Sequence, residues 1–311
     1  MTLPLDRELV YVTGKGGVGK TTVALAIAMA AADGGRRVVL VEVGGQDRVP
    51  RALGVAGPQG EEVPVLEGIT WQSVDPTRAL EDWAGRVIGS RRVLAPALRS
   101  RAFGSFVDAA PGAKELITMA KAWELGRPRG ERWTRERDGH DLVVVDAPAS
   151  GHGVGMLGVS RTFAEIARVG PIAGQARRAQ ALVEDPGRSA IVAVSLPSEM
   201  PVTETLELGP RIEAVTGRGL DAVVCNAVLP RAFTGEEVGR LAAADGALPA
   251  VVLERLAGRV ERAGEQQGQL QRLRRHAGVP VTALPFVAKP ALSVEDVRGL
   301  SRDLTEVQGQ P

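Results

Sequence analysis

The chain has 311 residues, 44% hydrophobic and 24% charged, which is globular composition and excludes disorder of the whole chain. A formal net charge of +1 gives no field that argues for nucleic acid or an anionic membrane. One cysteine, Cys225, excludes an intrachain disulfide, a CxxC zinc site and any multi-thiol metal site.

In chain order, Leu9 to Thr13 is a β-branched run followed by Gly14-Lys15-Gly16-Gly17-Val18-Gly19-Lys20-Thr21-Thr22. The stretch Val23 to Ala32 is apolar nearly all round, which predicts a buried helix closed by Gly34-Gly35. It is too short to span a bilayer and no basic leader precedes it, so a cytoplasmic chain is expected. Arg37 to Val43 reads as a parallel strand covered on both faces, completing a βαβ unit.

Ile69 to Val74 is a weaker strand ending at Asp75-Pro76. From 77 to 139 no strand run is found, while helical spacing recurs at Leu80, Trp83, Val87 and Ile88 and again at Leu116, Met119, Ala120 and Trp123. A helical insertion over 77–139 is expected, interrupting a nucleotide-binding domain made of 1–76 and 140–311. Asp141 to Asp146, Ala190 to Leu196, Asp221 to Cys225 and Pro280 to Leu284 are further strands with helical stretches between them. The alternation predicts an α/β fold, a doubly wound, mostly parallel sheet of about seven or eight strands.

Gly14-x-x-x-x-Gly19-Lys20-Thr21 has the phosphate-binding pattern between a strand and a helix. Glycines let successive amides wrap phosphate oxygens, Lys20 supplies an ammonium, Thr21 a hydroxyl for Mg²⁺, and the helix start adds positive potential. Val18 and Thr22 complete the cradle. Lysine is scarce in this chain, at Lys15, Lys20, Lys114, Lys121 and Lys289 only, and two of the five share this loop. Asp146 closes an apolar strand beside the loop, where a carboxylate can hold a Mg²⁺-bound water.

The GKGGVGKT loop with its second lysine resembles the deviant Walker A ATPases. Asp146-Ala147-Pro148-Ala149-Ser150-Gly151-His152 resembles the second switch of the arsenite-pump (ArsA) and tail-anchored-protein-targeting ATPases, a likeness that runs roughly from Glu8 to Leu300. The chain resembles an actinobacterial-type member without the zinc and arsenite cysteines. The resemblance implies a P-loop ATPase using ATP/ADP and Mg²⁺, here with no zinc. Lys15 would act across a dimer interface, either a homodimer or a heterodimer with a paralogous ATPase. Asn226 would read the adenine edge, with Pro285 and Phe286 flanking the base. Pro148, Ser150, Gly151 and His152 would be switch residues.

A protein client through the insertion is a further expectation, with Trp83, Phe103, Phe106, Trp123 and Trp133 either lining an interaction face or forming a plain helical core. No nucleic acid and no stable membrane anchor are expected. The segment Val294 to Pro311 carries mixed charges and no strong apolar stripe.

The pattern breaks at the first switch. Gly44 falls where the family carries a water-positioning aspartate. Asp47 or Glu42 can reach the water from a rearranged loop, or Gln46 can orient it; otherwise the chain is a non-hydrolysing, nucleotide-sensing subunit. Slow ATP hydrolysis is the favoured expectation, with Lys15, Lys20, Asp47 and Asp146 as the catalytic set.

Overall fold

The computed structural model describes residues 3–43, 47–55, 60–75, 78–79, 113–126, 139–166, 171–244 and 248–305. Gly44, Gln46, Trp83, Phe103, Phe106 and Trp133 lie outside these residues, as does most of the expected insertion.

The described strands form one sheet in the order β3-β4-β2-β5-β1-β6-β7-β8. The strands are β1 Leu9–Gly14, β2 Val38–Val43, β3 Val63–Leu66, β4 Ile69–Val74, β5 Leu142–Asp146, β6 Ser189–Ser195, β7 Ala222–Val228 and β8 Val281–Pro285. All neighbours are parallel except β3, which runs antiparallel to β4. The α/β doubly wound sheet is therefore as the alternation predicts. Every residue of β1, β5 and β6 is buried, which is why they read as unbroken apolar runs.

Strand β3 has no counterpart in the sequence reading. It is four residues long with Pro64 inside, a composition tolerated at a sheet edge because proline cannot donate to a ladder on both sides. Glu67-Gly68 turns it into β4, with Gly68 at φ +72.

Helix α1 (Lys20–Asp33) is buried from Val23 to Ala31 between the sheet and the C-terminal helix α9 (Val294–Thr305). In α9, Val297, Leu300 and Leu304 recur at helical spacing and are buried in the core that also contains α1. The absence of an apolar stripe expected after Val294 is thus corrected. The stripe is only three aliphatic residues wide, with Ser301 buried beside them, so a short amphipathic face is diluted by five charged neighbours.

Helix α2 (Arg48–Leu53) follows β2. Helix α3 (Ala113–Leu125) lies within the expected insertion, yet Met119, Ala122 and Leu125 share one buried cluster with Leu9, Tyr11 and Val143 of the central strands. This stretch packs on the central sheet. Trp123 packs against the same cluster, with the Arg178 guanidinium 5.5 Å from its ring centre, which favours the core reading over an interaction face. Helices α4 (Ser150–Ile166), α5 (Pro171–Glu184) and α6 (Glu199–Thr216) cover the same side, and α7 (Gly235–Ala243) pairs with the long α8 (Ala250–His276).

Strand order decides where a ligand can bind. From β1 the chain crosses to β2, leaving a place for β5 between them, and β6 then adds on the opposite side of β1. The carboxyl ends of β1, β2 and β5 meet at this reversal, the usual crevice of open parallel sheets. Those ends carry Gly14, Glu42 and Asp146.

Candidate functional site

Gly14 leaves β1 at φ +140, and a Cβ there would stand 2.4 Å from the Val194 carbonyl oxygen of β6. Gly19 caps α1 at φ +89, and its Cβ would stand 2.3 Å from Asn226 Nδ2. Both ends of the loop therefore require glycine. The first turn of α1 has no acidic residue and no side-chain cap, so among the described residues no side chain caps its amides. Val18 is buried beneath the loop, whereas Gly16 and Gly17 are exposed along its rim.

Lys20 is buried, and its Nζ donates to the Lys15 carbonyl oxygen at 2.9 Å, curling the loop around the ammonium. Thr21 Oγ1 donates to Asp146 Oδ2 at 2.6 Å. Asp146 is only 5% exposed, and its Oδ1 is buried with no hydrogen-bond partner among the described residues. Burial pushes its carboxyl up to about 6. The Thr21 hydrogen bond opposes that rise, the nearby Glu42 carboxylate adds to it, and Lys20 and Arg48 oppose it again. Lys20 is pushed the other way, its pKa lowered by burial and raised in part by Asp146.

Glu42 pairs with Asp146 in sheet register, so two buried carboxylates stand side by side. Glu42 is nevertheless fully engaged. Its Oε1 accepts from the Arg48 amide at 3.0 Å, and its Oε2 from the Val49 amide at 3.1 Å and from Trp71 Nε1 at 2.6 Å. This carboxylate anchors α2 to β2 and β4, which is a structural duty and accounts for its survival in the core. Asp47 stands at the N-cap of α2 at φ +45.

A cavity of about 170 Å³ opens between these groups. One wall is Gly16, Gly17 and Lys20, a second runs from Asp146 to Ala149, and a third is Glu42, Val43 and Arg48. Of the expected switch residues, Pro148 borders this cavity, whereas Gly151 and His152 are exposed on the first turn of α4, which begins at Ser150. That turn is tied to β1 by Tyr11, whose hydroxyl donates to the Gly153 carbonyl oxygen at 2.9 Å. The cradle of amides, the lone ammonium and a threonine–aspartate pair with one orphaned oxygen fit a magnesium-bound phosphate chain.

A family model for anion-transporting ATPases matches residues 7–168, just over half of the chain. The chain belongs to this ArsA-type ATPase family. Its relatives include the ATPase BagA of Mycobacterium tuberculosis, 29% identical over 206 residues that cover 64% of this chain and 59% of the relative. The arsenical pump-driving ATPase of Escherichia coli is 26% identical over 218 residues, 67% of this chain and 33% of the pump ATPase. The ATPase GET3 of Kluyveromyces lactis is 26% identical over 178 residues, 52% of this chain and 50% of GET3. The match thus spans 59% of the BagA length.

Within this ArsA-type chain, the remaining expected site residues sit at the same sheet end but reach different partners. Lys15 turns away from the cavity: its Nζ lies 2.6 Å from Glu204 Oε1 and 3.2 Å from Met200 Sδ, both on α6. Asn226 sits where the β7–β8 register shifts, next to Ala227 at φ +59, and its Nδ2 donates to the Val18 carbonyl oxygen at 3.0 Å. The amide side of Asn226 thereby holds the loop from behind. Pro285 ends β8, and the Phe286 amide donates to the Val228 carbonyl oxygen at 2.9 Å, leaving the Phe286 ring 44% exposed. Thr22 borders a small separate cleft with Leu53, Leu292 and Val297. Cys225 is fully buried and its thiol is pushed up to about 12 by that burial, so it is an inert packing residue.

Three residues escape sequence reading altogether. Arg48 hides among many arginines, Glu204 lies 189 positions from its partner Lys15, and Tyr11 sits inside a strand that reads as core. Only the last carries a local signal, the single tyrosine of the chain.

Proposed function

We propose that the chain binds MgATP at the loop Gly14–Thr22 and hydrolyses it slowly, coupled to opening and closing of a dimer. The observation that supports this most directly is the convergence of Lys20, the Thr21–Asp146 pair and the bare first turn of α1 on one crevice. Backbone amides and Lys20 would hold the β and γ oxygens, where charge builds as the phosphoryl group transfers. Thr21 would hold the magnesium directly and Asp146 through water. The metal would neutralise phosphate charge in the transition state.

Asn226 would use its free amide oxygen for the adenine amino group, between Pro285 and Phe286. Asp47, which opens α2 at the first switch, would orient the attacking water, while Glu42 is committed to three N–H groups. Pro148, Ser150, Gly151 and His152 would report loss of the γ-phosphate to α4, with Tyr11 tying that helix to β1. An ArsA-type dimer in the cytoplasm fits these features. Among the described residues no helix is long and apolar enough to cross a membrane.

Lys15 would serve the partner's nucleotide, and its pairing with Glu204 holds it back. Both side chains are 39% exposed, so the pair stabilises the fold by less than about 1 kcal/mol. Glu204→Gln should therefore leave the unfolding midpoint nearly unchanged and strengthen MgATP-dependent dimerisation by about threefold to fivefold. Sedimentation at several protein concentrations reads this. A dimer weakened by the substitution would remove the trans role of Lys15.

Phosphate release from the purified chain, beside Lys20→Ala, tests the reaction itself. Slow turnover that vanishes in the variant is the expected result. Tight MgATP binding without turnover would overturn hydrolysis and leave a nucleotide-sensing subunit.

A further inference from the structure

We infer that Arg48 supplies a further phosphate-binding cation in cis: its guanidinium grips the terminal phosphate and makes the site prefer a triphosphate to a diphosphate. This rests on the reading of the crevice as a nucleotide site and adds to it a residue that neither the loop motif nor the second switch contains.

Two observations fix the main chain of Arg48 and a third leaves its side chain at liberty. Its amide donates to Glu42 Oε1 at 3.0 Å, and Glu42 is itself 2% exposed and held by Trp71. Val49 and Pro50, the next two residues, are buried and seat the helix that Arg48 begins. Arg48, in contrast, is exposed and lines the same cavity as Gly16, Gly17 and Lys20. Among the described residues no hydrogen bond or ion pair holds its guanidinium. Lys15 is paired with Glu204 and Lys20 Nζ with a loop carbonyl, so among the described residues lining this cavity Arg48 is the cation whose side chain has no protein partner.

The chemistry suits a terminal phosphate. Guanidinium is always charged and presents a planar fork that binds two phosphate oxygens at once, which an ammonium cannot do. Anchoring the backbone through a buried carboxylate means little main-chain order remains to be gained on binding. The field of Arg48 already reaches Lys20 and Asp146, the two groups that flank the phosphate and magnesium positions.

Calorimetry on the full chain with magnesium tests this, comparing a non-hydrolysable ATP analogue with ADP for wild type, Arg48→Ala and Arg48→Lys. Arg48→Ala should bind the triphosphate about tenfold to thirtyfold more weakly while ADP affinity changes less than about threefold. Arg48→Lys should recover only part of the triphosphate affinity. Equal losses for both nucleotides, or no loss in either variant, would overturn the role of Arg48 while wild-type binding leaves the nucleotide site standing. A folded wild type that binds neither nucleotide would overturn the site reading, and Arg48 with it.

Discussion

An Asp146→Asn chain should resist unfolding better than wild type at pH 8 and bind MgATP ten to a hundred times more weakly. The two effects have opposite signs and one cause. Asp146 is 5% exposed, with its carboxyl raised from 3.8 to about 6 chiefly by burial, so folding disfavours the ionised form. The native-state pKa lies above the unfolded value, hence the penalty is full above about pH 6 and fades as pH falls toward 3.8. A shift of this size corresponds to at most about 3 kcal/mol, and a gain of about 1–3 kcal/mol is expected from the neutral amide. Asparagine keeps an oxygen for the Thr21 hydroxyl, so packing changes little.

The same charge is what a magnesium-bound water would require. Removing an outer-sphere carboxylate typically lowers metal affinity tenfold to a hundredfold. Urea unfolding between pH 5 and pH 8 reads the first effect, and magnesium-dependent nucleotide titration the second. In wild type, stability without nucleotide should rise as the solution is acidified through pH 6, and this rise should be absent from the variant. A variant that is destabilised at pH 8 and binds MgATP normally would contradict the assignment.

Lys20→Ala has the largest expected effect on binding. The ammonium is buried within the loop, held by one carbonyl, and carries a pKa lowered by desolvation. Bound phosphate would restore its solvation with charged acceptors, and each such charge-assisted bond contributes about 1.5–3 kcal/mol. Loss of at least about 3 kcal/mol, on the order of a hundredfold in affinity, is expected for ATP. Lys20 also lowers the Asp146 pKa, so its removal should shift the acid-side stability rise to higher pH. Unchanged affinity in a folded Lys20→Ala protein would exclude the loop as the phosphate site.

How far the molecule is legible in its sequence depends on the reach of each interaction. The loop Gly14–Thr22 is local: its positive-φ glycines, its lysine and its helix start lie within nine consecutive positions, so pattern alone places it. The central strands are equally plain, because burial on both faces makes them continuous apolar runs. Strand β3 is lost since four residues with a proline carry no period.

Helix α3 shows a different gap. Its apolar spacing is visible, yet spacing says that a face is buried and not which surface buries it, so the packing of Met119 and Leu125 on the sheet is not legible in it. At the site, Glu42 looks free to reach water until its partners Arg48, Val49 and Trp71 are brought together by folding. Lys15 reads as a phosphate-binding lysine of the loop, and its pairing with Glu204 shows only once α6 is brought alongside. Charge partners far apart in the chain have no sequence signature, which is why the phosphate cradle was readable and the network steering it was not.

Titration calorimetry of ATP into the folded full chain with magnesium measures the central claim most directly. Saturable binding that disappears with Lys20→Ala and weakens without magnesium is the predicted result. No heat and no nucleotide-dependent rise in unfolding temperature, from a chain whose circular dichroism shows it folded, would contradict it.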